Sequence, residues 1–415
     1  MIKDFEEKLR RYAQLVMEVG LNIQPGDRLV LRSATESEDL ALAMAEEAYR
    51  RGAAAVRVEW NNRSLGRLHY LYRSQEALEE VCSHMLARDM EDIERRTKYL
   101  SMVGQDPHAF DDCDKAKMAA ATKAHNRAYL DFSSKMMANY TSWCVIGAPC
   151  MSWAREVFPD LPEAEALEKL WDLVFYTLRL DEGDALERWH QHIARLNARA
   201  QLLTEAGFTA LHYTSERGTD FQVGLPRGHR FIAAEEANQQ GQNFVANLPT
   251  EEIFTLPNCQ EAEGIVYNTK PLQYNGGLID GFWLRFEGGS VVDFAAEKGQ
   301  ELLAHMLDSD EGARRLGEVA LVPYHSPISL SGVVFCETLF DENASCHLAL
   351  GRAYPSCLAD FEALSAEEIE ARGANNSLIH VDFMIGDASL RIEGIRPDGS
   401  RELVFDQGDF AGRFA

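Results

Sequence analysis

The segment SLIHVDFMIG, residues 377–386, sets an imidazole and a carboxylate two positions apart, His380 and Asp382, inside an otherwise apolar, β-favouring run. Residues two apart along a strand share a face. Polar groups on one face of a largely buried strand need partners, because leaving them unpaired costs roughly several kcal/mol. Two arrangements would provide them: a structural His–Asp hydrogen bond, or a metal ion bound by both side chains.

Three further segments hold residues of the same chemical kind. LFDENASCHLALG, residues 339–351, contains Asp341, Glu342 and His347, and Tyr354 follows shortly after. Read singly, the histidine is a satisfied core side chain, the tyrosine is packing and the two acids form a solvated turn. Glu252 lies in NLPTEEIFTLP and Glu318 in LGEVALV, each beside a strand-like apolar run. Acids so placed are uncommon without a cation or a hydrogen-bond donor close by. Glu252, Glu318, His347, His380 and Asp382 together offer the oxygen and nitrogen donors of a two-metal hydrolase. The HExxH zinc helix, the GxGxxG and GxxxxGK[ST] phosphate loops and the GxSxG elbow are all absent. Cys346 adjoins His347 but enters an apolar run typical of inert thiols.

The elements that must position these residues change character along the chain. Phe5, Leu9, Tyr12, Leu15, Val16 and Val19 recur at helical spacing and end at Gly20. RLVLR at residues 28–32, an alanine-rich helical pattern over 36–51 and AVRVEW at 55–60 predict a parallel βαβ unit. Residues 74–127 read as helical with a short strand at Met102–Val103, and 163–206 as helical with an interruption near residues 181–184. Beyond residue 208, short strand candidates separated by glycine and polar turns dominate, with one helical run from Ala296 to Leu307. The expectation is an α/β protein: an N-terminal α/β domain over 1–185 and a strand-rich α+β domain over 186–415 that carries the metal site.

Composition narrows the class. The 415 residues exceed what one core usually organises. A formal charge of −25 repels phosphate backbones and anionic lipid surfaces, so neither nucleic acid nor membrane is expected as a partner. No run approaches the length of a membrane span, and charges interrupt the first twenty residues where a signal peptide would be apolar. The eight cysteines form no CxxC pair, which fits reduced thiols and a cytoplasmic location.

NLPTEEIFTLP, LGEVALV, SPIS at 326–329, LFDENASCHLALGRAY and HVDFMIG, in this order and spacing, resemble the thermophilic aminopeptidase family of metallopeptidases. The similarity extends to Gly218-Thr-Asp220, Val223-Gly-Leu225, the Gly20–Gly26 segment and Ala53–Val56, and is least clear over residues 85–160. It implies a dinuclear site with Glu252, Glu318, His347, His380 and Asp382 as ligands, Glu318 shared between the metals, Glu342 a further ligand and Tyr354 an active-site tyrosine. Glu252 is aligned with the ligand because it directly precedes Ile-Phe-Thr. Glu251 beside it is a candidate general base, as is Glu318. The implied activity is removal of amino-terminal residues from short peptides through a metal-bridged hydroxide, with two divalent ions (Zn, Co, Mn or Mg) as cofactors and a homodimer as the assembly. A deacylase or amidase with the same ligands, and a non-catalytic homologue, are the alternatives.

Overall fold

The computed structural model describes residues 4–104, 106, 108–181, 183–274 and 277–415. The chain divides into two compact units, residues 1–190 with 235–249, and residues 191–234 with 250–415. The first unit is therefore discontinuous, completed by a short excursion from the second half of the sequence.

The core of the first unit is a five-stranded parallel sheet in the order Ala55–Asn61, Arg28–Ala34, Lys98–Val103, Trp143–Gly147 and Asn247–Leu248. The predicted βαβ unit is present, its crossover being the Glu38–Arg50 helix. Parallel strands buried on both faces read as continuous apolar runs, and Leu29, Val30, Leu31 and Leu100 are all 1% exposed or less. The strand expected at Met102–Val103 begins earlier, at Lys98. Trp143–Gly147 and Asn247–Leu248 are strands that the sequence pattern does not predict: the first is a five-residue run, and the second has two residues held in place only by pairing. The first helix runs Phe5–Leu15 and continues as a π-turn over Val16–Gly20.

The second unit is strand-rich, as expected. One sheet joins Ala210–Thr214, Asp220–Gly224, Ala262–Tyr267 and the long Gly277–Glu287/Ser290–Lys298 hairpin to the C-terminal strands from Arg391 to Phe410. The helical run expected from Ala296 is shorter, because Ala296–Lys298 completes that hairpin and the helix is Gln300–Leu307. A second, smaller antiparallel sheet has the order Ile253–Thr255, Leu316–Leu321, His347–Gly351, His380–Met384. The mixed α/β class read from the sequence is thus the fold, a parallel sheet in one unit and antiparallel sheets in the other. Among the described residues, no helix is long and apolar enough to cross a membrane.

Candidate metal centre

The smaller sheet brings the acidic and imidazole side chains together by register. Glu318 pairs with Ala349, and Ala349 with Asp382 on the next strand, while Gly351 pairs with His380 and His347 with Ala320. Alternation then puts Glu318, His347, His380 and Asp382 on one face. Ala349 and Gly351, the small residues of the strand between them, leave space between the Glu318 side and the His380 and Asp382 side of the sheet. Gly351 adopts φ +103°, and a Cβ there would lie 2.1 Å from the Ile379 carbonyl oxygen, so the close approach beside His380 requires glycine. The register shifts between Leu316 and Glu318, an irregularity of the kind that re-aims side chains beside functional sites.

Two groups of donor atoms result: Glu252 with Glu318 and His347, and Glu318 with His380 and Asp382, each set lying within 4.8 Å of one another. Glu318 belongs to both. His347 Nε2 stands 3.3 Å from Glu252 Oε2 and 3.9 Å from Glu318 Oε1; His380 Nε2 stands 3.2 Å from Glu318 Oε2 and 3.3 Å from Asp382 Oδ1. On the other side of each ring, Nδ1 donates to a backbone carbonyl, that of Ser345 for His347 (3.2 Å) and that of Arg352 for His380 (2.7 Å). Such a bond fixes the tautomer and leaves Nε2 free to face the carboxylates, an arrangement that metal-binding histidines also use.

Electrostatics point the same way. Glu318 is 4% and His347 1% exposed. Burial raises the Glu318 pKa, against the pull of His380. Glu342 is raised well above the ordinary carboxylate range by burial and then by Asp382 and Glu252. The imidazoles are held up despite burial, His347 to about 10 by Glu252 and Asp382, and His380 well above its usual value by Asp382 and Glu318. Asp382 is lowered, burial being outweighed by His380, yet its Oδ1 accepts no hydrogen bond. Four carboxylates converge here on two imidazoles. The donor set, with an Asp382 Oδ1 that meets His380 Nε2 at 3.3 Å and accepts no hydrogen bond, fits divalent cations.

Tyr354 packs edge-on against His380, with ring centroids 4.9 Å apart, and against Phe254 at 5.7 Å. Burial, then Glu318 and Asp382, holds its phenol well above the usual value and therefore protonated. Glu251 is not among the grouped donors. Its carboxylate lies 3.4 Å from His192 Nε2 on the Ala185–Ala206 helix, both residues being buried, and its N–H donates to Asn343 Oδ1 at 2.8 Å. His192 Nε2 is also 2.9 Å from the Thr250 carbonyl, and Asn343 Nδ2 donates to the Leu339 carbonyl and reaches Glu342 at 3.5 Å. His192 and Asn343 thus tie together the segments that carry Glu252 and Glu342. Sequence reasoning missed both; Asn343, inside the FDEN motif, was the one with a local signal. Asp341, which alone reads as a solvated turn, is buried and accepts the N–H groups of Phe335 and Glu337. Cys346 is an inert thiol, pushed up to about 12 by burial.

The family model for thermophilic metalloproteases (M29) matches residues 5–410. The chain belongs to this metallopeptidase family. Among curated relatives, aminopeptidase 2 of Geobacillus stearothermophilus is 44% identical over 408 residues, 98% of either chain. Aminopeptidase T of Thermus aquaticus is 38% identical, covering 97% of this chain and 98% of its own. The solved structure of wild-type AmpT from Thermus thermophilus superposes with a TM-score of 0.92 at 36% identity, covering 98% of this chain and all of that one. The residues that converge on the smaller sheet therefore belong to an enzyme of a metallopeptidase family, for which a divalent metal is the implied cofactor.

Proposed function

We propose that this chain is a dinuclear metal-dependent aminopeptidase acting on short peptides with a free amino terminus. The observation that carries the reading is the pair of donor groups sharing Glu318. Glu252, Glu318 and His347 would hold one ion and Glu318, His380 and Asp382 the other, with Glu342 as an additional ligand. Glu318 lies in both donor groups, and that sharing supports two ions over one. When bound, such a pair of cations would supply a hydroxide nucleophile at neutral pH and Lewis acidity toward the substrate's α-amine and scissile carbonyl.

The protein's own groups do the rest. Tyr354, protonated and beside His380, donates a hydrogen bond to the oxyanion that develops at the carbonyl, an interaction strongest in the transition state. A carboxylate, Glu251 or Glu318, takes the proton of the attacking water and returns it to the leaving amine. The small sheet and its flanking segments make residues 186–415 the catalytic domain in this reading. Eight free cysteines suit a reducing cytoplasm, and the homodimer is carried over from the family resemblance.

The test is metal analysis of protein purified without chelator, paired with hydrolysis of aminoacyl reporters and their N-acetylated counterparts. About two equivalents of metal, cleavage of the free-amine reporters and none of the acetylated ones are expected. Full activity in exhaustively chelated, metal-free protein would refute the proposal, and cleavage of the acetylated reporters would favour a deacylase.

A further inference from the structure

The grouped donors are not all held in the same way. Glu318, His347, His380 and Asp382 sit on strands of the smaller sheet, whereas Glu252 lies just before the short Ile253–Thr255 strand at its end. The group of Glu318, His380 and Asp382 is therefore built from paired strands alone. The group of Glu252, Glu318 and His347 depends in addition on where a segment outside the strands is placed.

The Thr250–Glu251 peptide, immediately before Glu252, is gripped from both ends. Its carbonyl meets His192 Nε2 at 2.9 Å, and its N–H donates to Asn343 Oδ1 at 2.8 Å. Asn343 is fully buried and spends its whole amide here: Nδ2 donates to the Leu339 carbonyl at 3.0 Å and reaches Glu342 Oε1 at 3.5 Å. The SPIS segment supports it from behind. The Ser326 hydroxyl accepts the Ser329 N–H at 3.1 Å, capping the Pro327–Leu330 turn, and donates to the Asn343 carbonyl at 3.4 Å. Alanine at 343 would reach neither segment, and aspartate would keep the acceptor but lose both donors and set a further charge beside Glu342.

We propose that Asn343 is a positioning residue for one of the two ions: through the Glu251 N–H it fixes Glu252, and so sets the affinity of the Glu252–Glu318–His347 group while the sheet alone sets that of the other. The inference rests on the two-ion reading above. A donor oxygen whose segment is already locked needs no ordering when an ion arrives, whereas one on a loose segment must be ordered at that moment, which weakens binding. Strand pairing does this locking for His380 and Asp382. For Glu252 the same task falls to a side chain 92 residues away from Glu251 in the sequence. Partners that stand behind metal ligands in this way are typically worth about 10-fold to 100-fold in metal affinity.

The experiment titrates chelator-stripped full-length protein with Zn²⁺ against a chromophoric competitor, comparing wild type, Asn343→Ala, Glu252→Gln and the double variant. In Asn343→Ala one equivalent should keep its wild-type affinity, which also reports an intact fold, and the other should weaken by about 10-fold to 100-fold. Glu252→Gln should weaken the same equivalent. Because Asn343 acts through Glu252, the double variant should lose less than the product of the two single effects. Should Asn343→Ala fail to fold, Asn343→Ser, whose hydroxyl is too short to join both segments, carries the same expectation. Wild-type affinity for both equivalents, equal weakening of both, or fully multiplicative losses in the double variant would overturn the role of Asn343 and leave the two-ion reading intact. A single equivalent in the wild type would overturn that reading and this inference together.

Discussion

Each unit of this protein buries charge inside a sheet, and the two do so with opposite outcomes. In the first, Lys98 begins a strand of the parallel sheet with a side chain 1% exposed. Its ammonium donates to the carbonyls of Leu21 (3.0 Å) and Asn22 (2.7 Å) and pairs with Asp27 at 2.9 Å. Three donors meet three acceptors. In the second, four carboxylates face two imidazoles whose outer nitrogens are already committed to backbone carbonyls, and Asp382 Oδ1 is left without a hydrogen bond. A buried charge is therefore no sign of a site in itself. What marks one is an imbalance that the fold's own groups leave standing, as around Glu318 but not around Lys98.

The comparison breaks most visibly at the shared carboxylate. Glu318→Gln should abolish activity and lower bound metal, because one substitution weakens both donor groups. Glu251→Gln, outside those groups and held by His192 and Asn343, should keep its metal and lose less activity. Equal losses in the two variants with unchanged metal content would remove Glu318 from its shared position.

Tyr354→Phe probes the same centre without touching a donor. It should lower kcat by on the order of 100-fold to 1,000-fold, the usual effect of losing one oxyanion donor, with metal content unchanged. Near-normal kcat would return the ring to packing against His380 and Phe254.

Lys98→Met tests the balanced side of the comparison. Removing the cation strands two carbonyls and a mostly buried aspartate, so stability should drop by about 3 kcal/mol, at the low end for a broken buried pair because Asp27 retains some access to water. Metal content and reporter specificity should not change. A loss of metal comparable to that of Glu318→Gln would mean that the imbalance criterion does not separate the two clusters.

Much of this was legible from residue types and spacing. The His380–Met384 strand announced itself, because polar residues at period two in an apolar run are what a strand with one polar face produces, and the Leu316–Leu321 strand did so as an apolar run around Glu318. The convergence of Glu252, Glu318, His347, His380 and Asp382 followed from their shared chemistry and from the family's motifs. What was hidden is tertiary. The contact between His192 and Glu251 joins residues about sixty apart, with nothing local in either segment to suggest it. The Asn247–Leu248 strand exists because Val145 and Ile146 offer it an edge. Ala349 and Gly351 read as ordinary small strand residues until the register set them between the strands that carry Glu318 and His380 with Asp382.

The smallest expected effect concerns how the His380–Met384 strand is held. Asp310 accepts hydrogen bonds from the Ser377 hydroxyl (2.8 and 3.0 Å), the Leu378 N–H (2.6 Å) and the Ala313 N–H (2.9 Å), and so pins the chain just before His380. Burial acts to raise its pKa, but the N–H of Leu378 and the Ser377 hydroxyl outweigh it and hold the carboxyl below the usual range. A carboxyl with a depressed folded-state pKa contributes stability that is fully present above its unfolded value, near about 3.9, and is lost as pH falls through the lower folded value. Asp310→Asn should therefore cost about 1 kcal/mol at neutral pH, since the carboxylate is partly solvated and an amide keeps some acceptor capacity. Thermal midpoints of wild type and variant, followed downward from neutral pH, should stay apart until the ordinary carboxylate range is reached and converge below it. A gap that stays constant into strong acid would show that the charge on Asp310 contributes nothing to holding the strand that bears His380 and Asp382.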